Sequence, residues 1–315
     1  MLTSLLLLVA GFLILAGGAE FMVRGSSQLA LKLGISPLVV GLTVVAFGTS
    51  APELAVSVES TIDGFSGIAL GNVVGSNIAN IGLILGITAI INPIEIKVDL
   101  VRLQIPIAIG SAFLLGLLLL DAELAVFDGL LLLLGLSVYL FLSVRTARAS
   151  GEIEVLIGQP PTKAGTNSAL LVLFIIIGLA LLVAGSQLFV TNAVDIARVV
   201  GVSEAIIGLT LVAIGTSIPE LATSVAAAMR RESDIAIGNV VGSNCFNILC
   251  VLGISALAGT VSASQFSIVD FIVMLGFSLV LLPFARSGLS LTRFEGILLL
   301  ASYCAYIGWI SWQSI

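Results

Sequence analysis

Two glutamates, Glu53 and Glu220, stand in the middle of long apolar stretches of the sequence. An ionisable side chain at the centre of a membrane helix costs at least about 2.5 kcal/mol on insertion scales, so each glutamate needs a partner. Neither stretch has a lysine or arginine in its apolar core, and Arg230 and Arg231 lie about three helical turns beyond Glu220. The pair therefore predicts a bound cation, or protonation when the cation is absent. The alternative, a protonated glutamate that only bonds a neighbouring helix, would have to hold at both positions.

The residues just before each glutamate can supply further oxygen ligands. Both glutamates end a Gly-Thr-Ser-x-Pro-Glu motif, in which Pro52 or Pro219 lacks an N–H. The carbonyl four residues earlier then loses its helical donor, and Gly-Thr-Ser favours a local kink. Such carbonyls and hydroxyls are hard oxygen ligands, the type that Na⁺ and Ca²⁺ prefer. They belong to Gly48, Thr49, Ser50, Gly215, Thr216 and Ser217. Serine and threonine in membrane helices also bond their own helix or a neighbour, so for any single hydroxyl both interpretations stay open.

A second motif, Gly-Asn-Val-Val-Gly-Ser-Asn, follows each glutamate. Its glycines are four residues apart, a spacing typical of closely packed helices. Ser76 and Asn80 are also four apart, as are Ser243 and Asn247, so each pair lies on one helical face and can point toward the glutamates. The other duplicated asparagines either line a pathway or brace the kinked helices. They are Asn72, Asn77, Asn239 and Asn244.

The composition places these motifs in a membrane protein. Of 315 residues, 59% are hydrophobic and 10% are charged, and mean hydropathy is +1.24; soluble chains have about 25% charged residues. Uninterrupted apolar runs exclude a transmembrane barrel, whose strands alternate, and the absence of histidine excludes a Ser-His-Asp triad. We predict an all-α membrane protein with ten spans, near 2–22, 35–58, 67–91, 103–120, 124–144, 168–190, 205–229, 235–258, 268–285 and 294–312.

The chain also contains two copies of one unit. At an offset of 167, residues 41–58 match residues 208–225 at 14 of 18 positions, and the second motif aligns without a gap. Equivalent spans are separated by five crossings, an odd number, so the second copy enters the membrane from the opposite side. The sequence therefore predicts an inverted repeat, an architecture of secondary transporters whose site lies where the copies meet.

The basic residues orient this arrangement. With both termini outside, 11 of the 12 lysines and arginines fall at the cytoplasmic side and only Arg198 falls outside, in agreement with the positive-inside rule. The predicted organisation is a five-helix repeat at 1–144, a cytoplasmic linker at 145–167 and a second five-helix repeat at 168–315.

The duplicated motifs, in this order and spacing, resemble the two α-repeats of the sodium/calcium exchanger family, among the calcium/cation antiporters, in a prokaryotic form. The resemblance implies that Glu53 and Glu220 ligate Ca²⁺ and that Thr49 and Thr216 offer backbone oxygen to it. It implies further ligands in the carbonyls of Ala46 and Ala213, toward Na⁺, the hydroxyls of Ser50, Ser76, Ser217 and Ser243, and the amides of Asn80 and Asn247. Many relatives, including the potassium-dependent branch of the family, carry Asp where this chain has Asn247, so potassium dependence is disfavoured. Proton/calcium members tend to carry Gly-Asn-Ala-x-Glu instead, which favours sodium.

The expected function is therefore exchange of Ca²⁺ for Na⁺ by alternating access, with no enzymatic chemistry, no cofactor and no nucleic-acid partner. The partners would be the two ions and the lipid bilayer of a prokaryotic cell membrane, and the protein would function as a monomer. A H⁺/Ca²⁺ antiporter is the main alternative. A cation channel could use the same two glutamates, and a sodium-coupled symporter would need an apolar solute cavity.

Overall fold

The computed structural model describes residues 2–149, 167–200, 215–263 and 266–313, and these fold almost entirely into helices. The helices are α1 Leu2–Leu33, α2 Pro37–Thr49, α3 Ala51–Ile62, α4 Gly67–Ile91, α5 Leu100–Asp121, α6 Val126–Ala149, α7 Ser168–Val200, α8 Ile218–Met229, α9 Ser233–Ala258, α10 Ile268–Arg286 and α11 Arg293–Gln313. Within the described ranges, eight helices are long and apolar enough to cross a membrane, and α2 and α3, which meet at a 44° bend, are together long and apolar enough for a ninth. The expected seventh span, 205–229, is described only from residue 215 onward.

The centre of the bundle is formed by α4 and α9, the two most buried of the long helices. Each carries the Gly-Asn-Val-Val-Gly-Ser-Asn motif, and each contains a π-helical segment that begins at its predicted asparagine ligand. These segments are Asn80–Leu85 in α4 and Asn247–Val251 in α9. π-bulges of this kind are frequent at functional sites. Around them, α5, α6, α10 and α11 present large apolar side chains outward, among them Phe141 and Phe294, as expected of lipid-facing helices.

The long helices α1 and α7 extend well beyond the predicted 2–22 and 168–190 and comprise 32 and 33 residues. The prediction ended α1 too early because it placed Arg24 beyond the span, whereas Arg24 pairs with Glu20 one turn earlier on the helix surface. The helices approach closely through glycines: a Cβ on Gly18 would lie 2.8 Å from the Leu182 nitrogen, and one on Gly178 would lie 2.6 Å from the Met22 nitrogen.

Four two-residue strands correct the prediction of a purely helical chain. They are β1 Ile94–Glu95, β2 Glu123–Leu124, β3 Val261–Ser262 and β4 Ser290–Leu291. Strand β1 pairs with β4 and β2 pairs with β3, both antiparallel. Adding the repeat offset of 167 to β1 gives β3, and adding it to β2 gives β4, so each ladder joins one copy of the repeat to the other. Helical periodicity cannot reveal such short pairings, because two residues are too few to show alternation.

Candidate functional site

Both glutamates sit in the first turn of a helix that begins after a break. Ser50 is the N-cap of α3 and Ser217 is the N-cap of α8, and each helix has a proline within its first two positions. The missing proline N–H is tolerated there because the first turn has no intrahelical acceptor for it. A carboxylate in the first turn is also stabilised by the free N–H groups of the helix N-terminus. Glu53 and Glu220 are both fully buried, at 0% exposure.

The two carboxylates are held by hydroxyls from opposite copies of the repeat. Ser50 donates to Oε1 of Glu220 over 3.1 Å, and Ser217 donates to Oε1 of Glu53 over 3.2 Å. The Ser76 hydroxyl on α4 adds a longer bond of 3.4 Å to the same Glu53 oxygen. Each carboxylate therefore depends on the other copy for its position, as expected for a site at the junction of the two.

Four buried carboxylate and amide oxygens of the cluster lack a hydrogen-bond donor anywhere in the described part of the chain, and the Ser243 hydroxyl has no partner there either. The four are Oε2 of Glu53, Oε2 of Glu220, Oδ1 of Asn80 and Oδ1 of Asn247. Neither glutamate forms an ion pair with another described residue, whereas ion pairs do form elsewhere in the described ranges, for example at Glu20, Asp195 and Asp234. A buried acceptor without a donor costs about 1–3 kcal/mol, and more when it is charged. Oxygens arranged in this way suit a cation, which satisfies several acceptors at once.

A second layer of asparagines braces the kinked helices, which decides between the two roles left open for Asn72 and Asn239. The Asn72 amide donates to the backbone oxygen of Glu53 over 3.2 Å and to Ser57 over 3.0 Å. Its oxygen accepts from the Thr216 hydroxyl over 3.3 Å. The Asn239 amide makes the same three bonds, to the Glu220 backbone at 3.3 Å, to Ser224 at 3.0 Å and from Thr49 at 3.0 Å. The Thr49 and Thr216 hydroxyls thus each donate to a bracing asparagine in the other copy of the repeat.

The remaining duplicated asparagines bond to the site amides across the copies. Asn80 donates to Oδ1 of Asn244 over 2.9 Å, and Asn247 donates to Oδ1 of Asn77 over 3.1 Å. Sequence reasoning found Asn77 and Asn244 by their duplication but could not assign them a partner, because each one bonds a residue in the other copy.

The predicted site residues that the structure describes are almost all buried, and hydrogen bonds link Ser50 to Glu220 and Ser76 and Ser217 to Glu53. Those buried are Ala46, Thr49, Ser50, Glu53, Ser76, Asn80, Ser217, Glu220, Ser243 and Asn247, and Thr216 is half-buried. Ala213 lies outside the described residues.

Helices that cross a membrane around two buried carboxylates and a ring of neutral oxygens define a membrane protein that binds cations. The chain belongs to the sodium/calcium exchanger family, whose model, described as sodium/calcium exchanger protein, matches residues 3–145 and 170–312. These two matched segments nearly coincide with the two copies of the repeat.

Similar proteins of nearly the same length support this assignment. The chain is 34% identical to the sodium/calcium exchanger MaX1 of Methanosarcina acetivorans over 96% of this chain and 97% of that protein. It is 35% identical to the inner membrane protein YrbG of Escherichia coli, over 100% and 98%. A solved structure of the sodium-calcium exchanger NCX_Mj, soaked with Na⁺ and Ca²⁺, superposes with a TM-score of 0.84 at 33% identity and covers 98% of each chain. The chain is therefore an integral membrane cation antiporter of a transporter family whose substrates are Na⁺ and Ca²⁺.

Proposed function

We propose that this protein exchanges Ca²⁺ for Na⁺ across a prokaryotic cell membrane. The observation that carries the proposal is the set of four donor-free oxygens on Glu53, Glu220, Asn80 and Asn247. Two carboxylates balance the charge of one Ca²⁺ and supply up to about four of the six to eight oxygens that it takes. Several Na⁺ ions would use the same carboxylates, so the two loads compete for one site and must cross in turn. Competition of this kind produces antiport.

Sodium, rather than the proton, is the proposed counter-ion because most of the site oxygens are neutral. A proton needs only a group that can accept it, whereas Na⁺ needs a shell of oxygen ligands. The proposed Ca²⁺ ligands are Glu53 and Glu220 with the backbone oxygens of Thr49 and Thr216. The proposed further ligands are the carbonyls of Ala46 and Ala213, toward Na⁺, together with the hydroxyls of Ser50, Ser76, Ser217 and Ser243 and the amides of Asn80 and Asn247, which complete the shared cation cluster.

The proposed architecture is ten spans in two inverted repeats, 1–144 and 168–315, joined by a cytoplasmic linker at 145–167, with both termini outside. The exchanged strand pairs support it: if the repeats are inverted, β1 and β4 lie at one membrane surface while β2 and β3 lie at the other. The reciprocal bonds of Ser50 and Ser217 to the opposite glutamate support it as well, since a two-fold relation converts each bond into the other. The proposed functional unit is a monomer.

Alternating access is proposed to come from α1 and α7 moving together relative to the α4 and α9 core. Glycines of the two long helices bring α1 and α7 into close contact with each other. Gly11 and Gly185 repeat the close approach seen at Gly18 and Gly178: a Cβ on either would lie within 2.8 Å of a backbone nitrogen of the facing helix. Backbones this close favour movement of the pair as one body.

Transport into proteoliposomes tests the counter-ion. Vesicles loaded with Na⁺ and diluted into Na⁺-free buffer should accumulate radiolabelled Ca²⁺, and vesicles with an imposed pH gradient but equal Na⁺ should not. Ca²⁺ uptake that follows the pH gradient and ignores Na⁺ would replace sodium with the proton. Ca²⁺ flux that needs no counter-ion on the opposite side would identify a channel.

A further inference from the structure

The orientation of the Asn77 side chain is set by the protein backbone. Its Nδ2 donates over 3.2 Å to the backbone oxygen of Asn244, an atom that can only accept. The opposite end of the same amide must therefore present Oδ1, and that oxygen meets Asn247. Because Asn77 is only 2% exposed, water has little access to replace its hydrogen bond to Asn244 or its hydrogen bond from Asn247.

Asn77 in turn dictates which atom Asn247 presents to the cation cluster. The Asn247 amide has one oxygen and one NH₂ group, and the acceptor on Asn77 takes the NH₂ group at 3.1 Å. Oδ1 of Asn247 is left facing away from Asn77, fully buried and without a donor in the described residues. In the other copy, Oδ1 of Asn244 takes the NH₂ group of Asn80 at 2.9 Å, and Oδ1 of Asn80 is likewise left without a donor.

We infer that Asn77 and Asn244 are positioning residues that hold Asn247 and Asn80 with their amide oxygens toward the transported cations. The inference rests on the proposed function, because it assigns the donor-free amide oxygens to a cation. Without these acceptors each site amide can rotate by about 180° and place its NH₂ group, which cannot ligate a cation, where the oxygen was. Outer partners that fix a ligand in this way typically change metal affinity by about 10–100-fold when they are removed.

The same geometry separates asparagine from aspartate at position 247. A carboxylate has an acceptor at both ends, so it needs no orientation, but one of its oxygens would meet Oδ1 of Asn77, also an acceptor. Asn77 therefore favours asparagine at its partner position. Removing the Asn77 oxygen removes that preference.

A double-mutant cycle in proteoliposomes tests the inference, with the KM for Ca²⁺ as the readout. Asn77→Leu should raise this KM by about 10–100-fold while the maximal rate changes less. The factor by which Asn247→Asp lowers this KM should be at least several-fold larger in the Asn77→Leu background than in the native background. If Asn77 only supports packing, the effect of Asn247→Asp is the same in both backgrounds, and that result would overturn the inference.

Matched variants keep the test decisive. Asn244→Leu with Asn80→Asp repeats the cycle in the other copy, so failure of one variant to fold leaves the second to decide. Asn192→Leu removes a buried amide that donates to its own helix, at the Leu188 carbonyl, and should leave the KM for Ca²⁺ unchanged. Absence of Ca²⁺ exchange by the native protein would reject the proposed function, whereas native exchange with additive cycles in both copies rejects this inference alone.

Discussion

Replacing Glu53 by Gln removes one of the two buried charges while it keeps the size of the side chain. A glutamine oxygen can still accept from Ser217, so the local hydrogen bond at 3.2 Å is retained. What changes is the second oxygen, which has no donor among the described residues and becomes an NH₂ group. The variant therefore tests the charge and the free oxygen together, with little disturbance of packing.

The magnitude follows from the burial of the site. Removing one partner of a fully buried charge pair typically costs about 3–5 kcal/mol, which corresponds to a loss of Ca²⁺ affinity of about 10²–10³-fold or more. Ca²⁺ uptake driven by a Na⁺ gradient should fall to near background in Glu53→Gln and, by the reciprocal bond from Ser50, in Glu220→Gln. Glu59→Gln, an exposed position on the same α3 helix, is the matched control and should keep native uptake.

Thermal unfolding distinguishes lost binding from lost folding. The native protein should be stabilised by Ca²⁺, by about 2.7 kcal/mol at a free concentration 100 times the Kd. Glu53→Gln should lose that stabilisation yet be at least as stable as the native protein without Ca²⁺, because it no longer buries two carboxylates beside each other. Exchange within about threefold of native, or a Ca²⁺-dependent stabilisation of native size, would show that Glu53 is a structural acid and not a ligand.

Three further changes have defined expected outcomes. Asn247→Asp should make exchange more pH-sensitive, since a protonated acid can donate to Asn77 and an ionised one cannot; an unchanged pH profile would place residue 247 away from the cluster. Gly18→Ala should reduce transport, because its Cβ would meet backbone 2.8 Å away, while Gly17→Ala, with no described atom within 4 Å of its Cβ, should be tolerated; equal activity of the two would argue against a close-packed α1 and α7 pair. In a variant without the three native cysteines, an impermeant thiol reagent should modify Ser287→Cys from the cytoplasm and Asp63→Cys from outside; reversed labelling would invert the proposed orientation.

Much of the fold was predictable because membrane helices can be recognised in a sequence by their length and hydropathy. The span predicted at 67–91 coincides with α4, and those around α5, α6, α9, α10 and α11 agree within a few residues. The extra turns of α1 were missed because Arg24 pairs with Glu20 on the helix surface, and those of α7 because Arg198 pairs with Asp195 in the same way; no hydropathy window can detect such pairs. The strand ladders were missed because a two-residue pairing depends on its distant partner more than on its own sequence.

The chemistry of the site was more predictable than its connections. Two buried carboxylates in apolar segments pointed to a cation before any geometry was known, since few other partners could make such burial tolerable. The partner of each asparagine was not predictable, because spacing along one helix gives a face and not the residue that this face meets in the other copy. Asn72 illustrates the limit: its bonds reach Glu53 and Ser57 within its own copy but Thr216 in the other.

The duplication itself explains why this site suits a divalent ion. One copy of the repeat supplies one carboxylate, which balances only half of the charge of Ca²⁺, and the hydroxyl that holds this carboxylate comes from the other copy. Neither copy alone can therefore form the site. Two copies related by a two-fold operation form one site in which each ligand occurs twice, with paired glutamates, paired serines and paired asparagines. The relation is not complete at the surface. Arg230 bonds Glu20, whereas the equivalent positions hold Asp63 and Gln187, which cannot form an ion pair. The ligand cluster thus keeps the symmetry that ion binding requires. At the surface, α1 forms an ion pair that its equivalent helix α7 cannot form. The inward-open and outward-open states of the transporter therefore need not be equal in free energy.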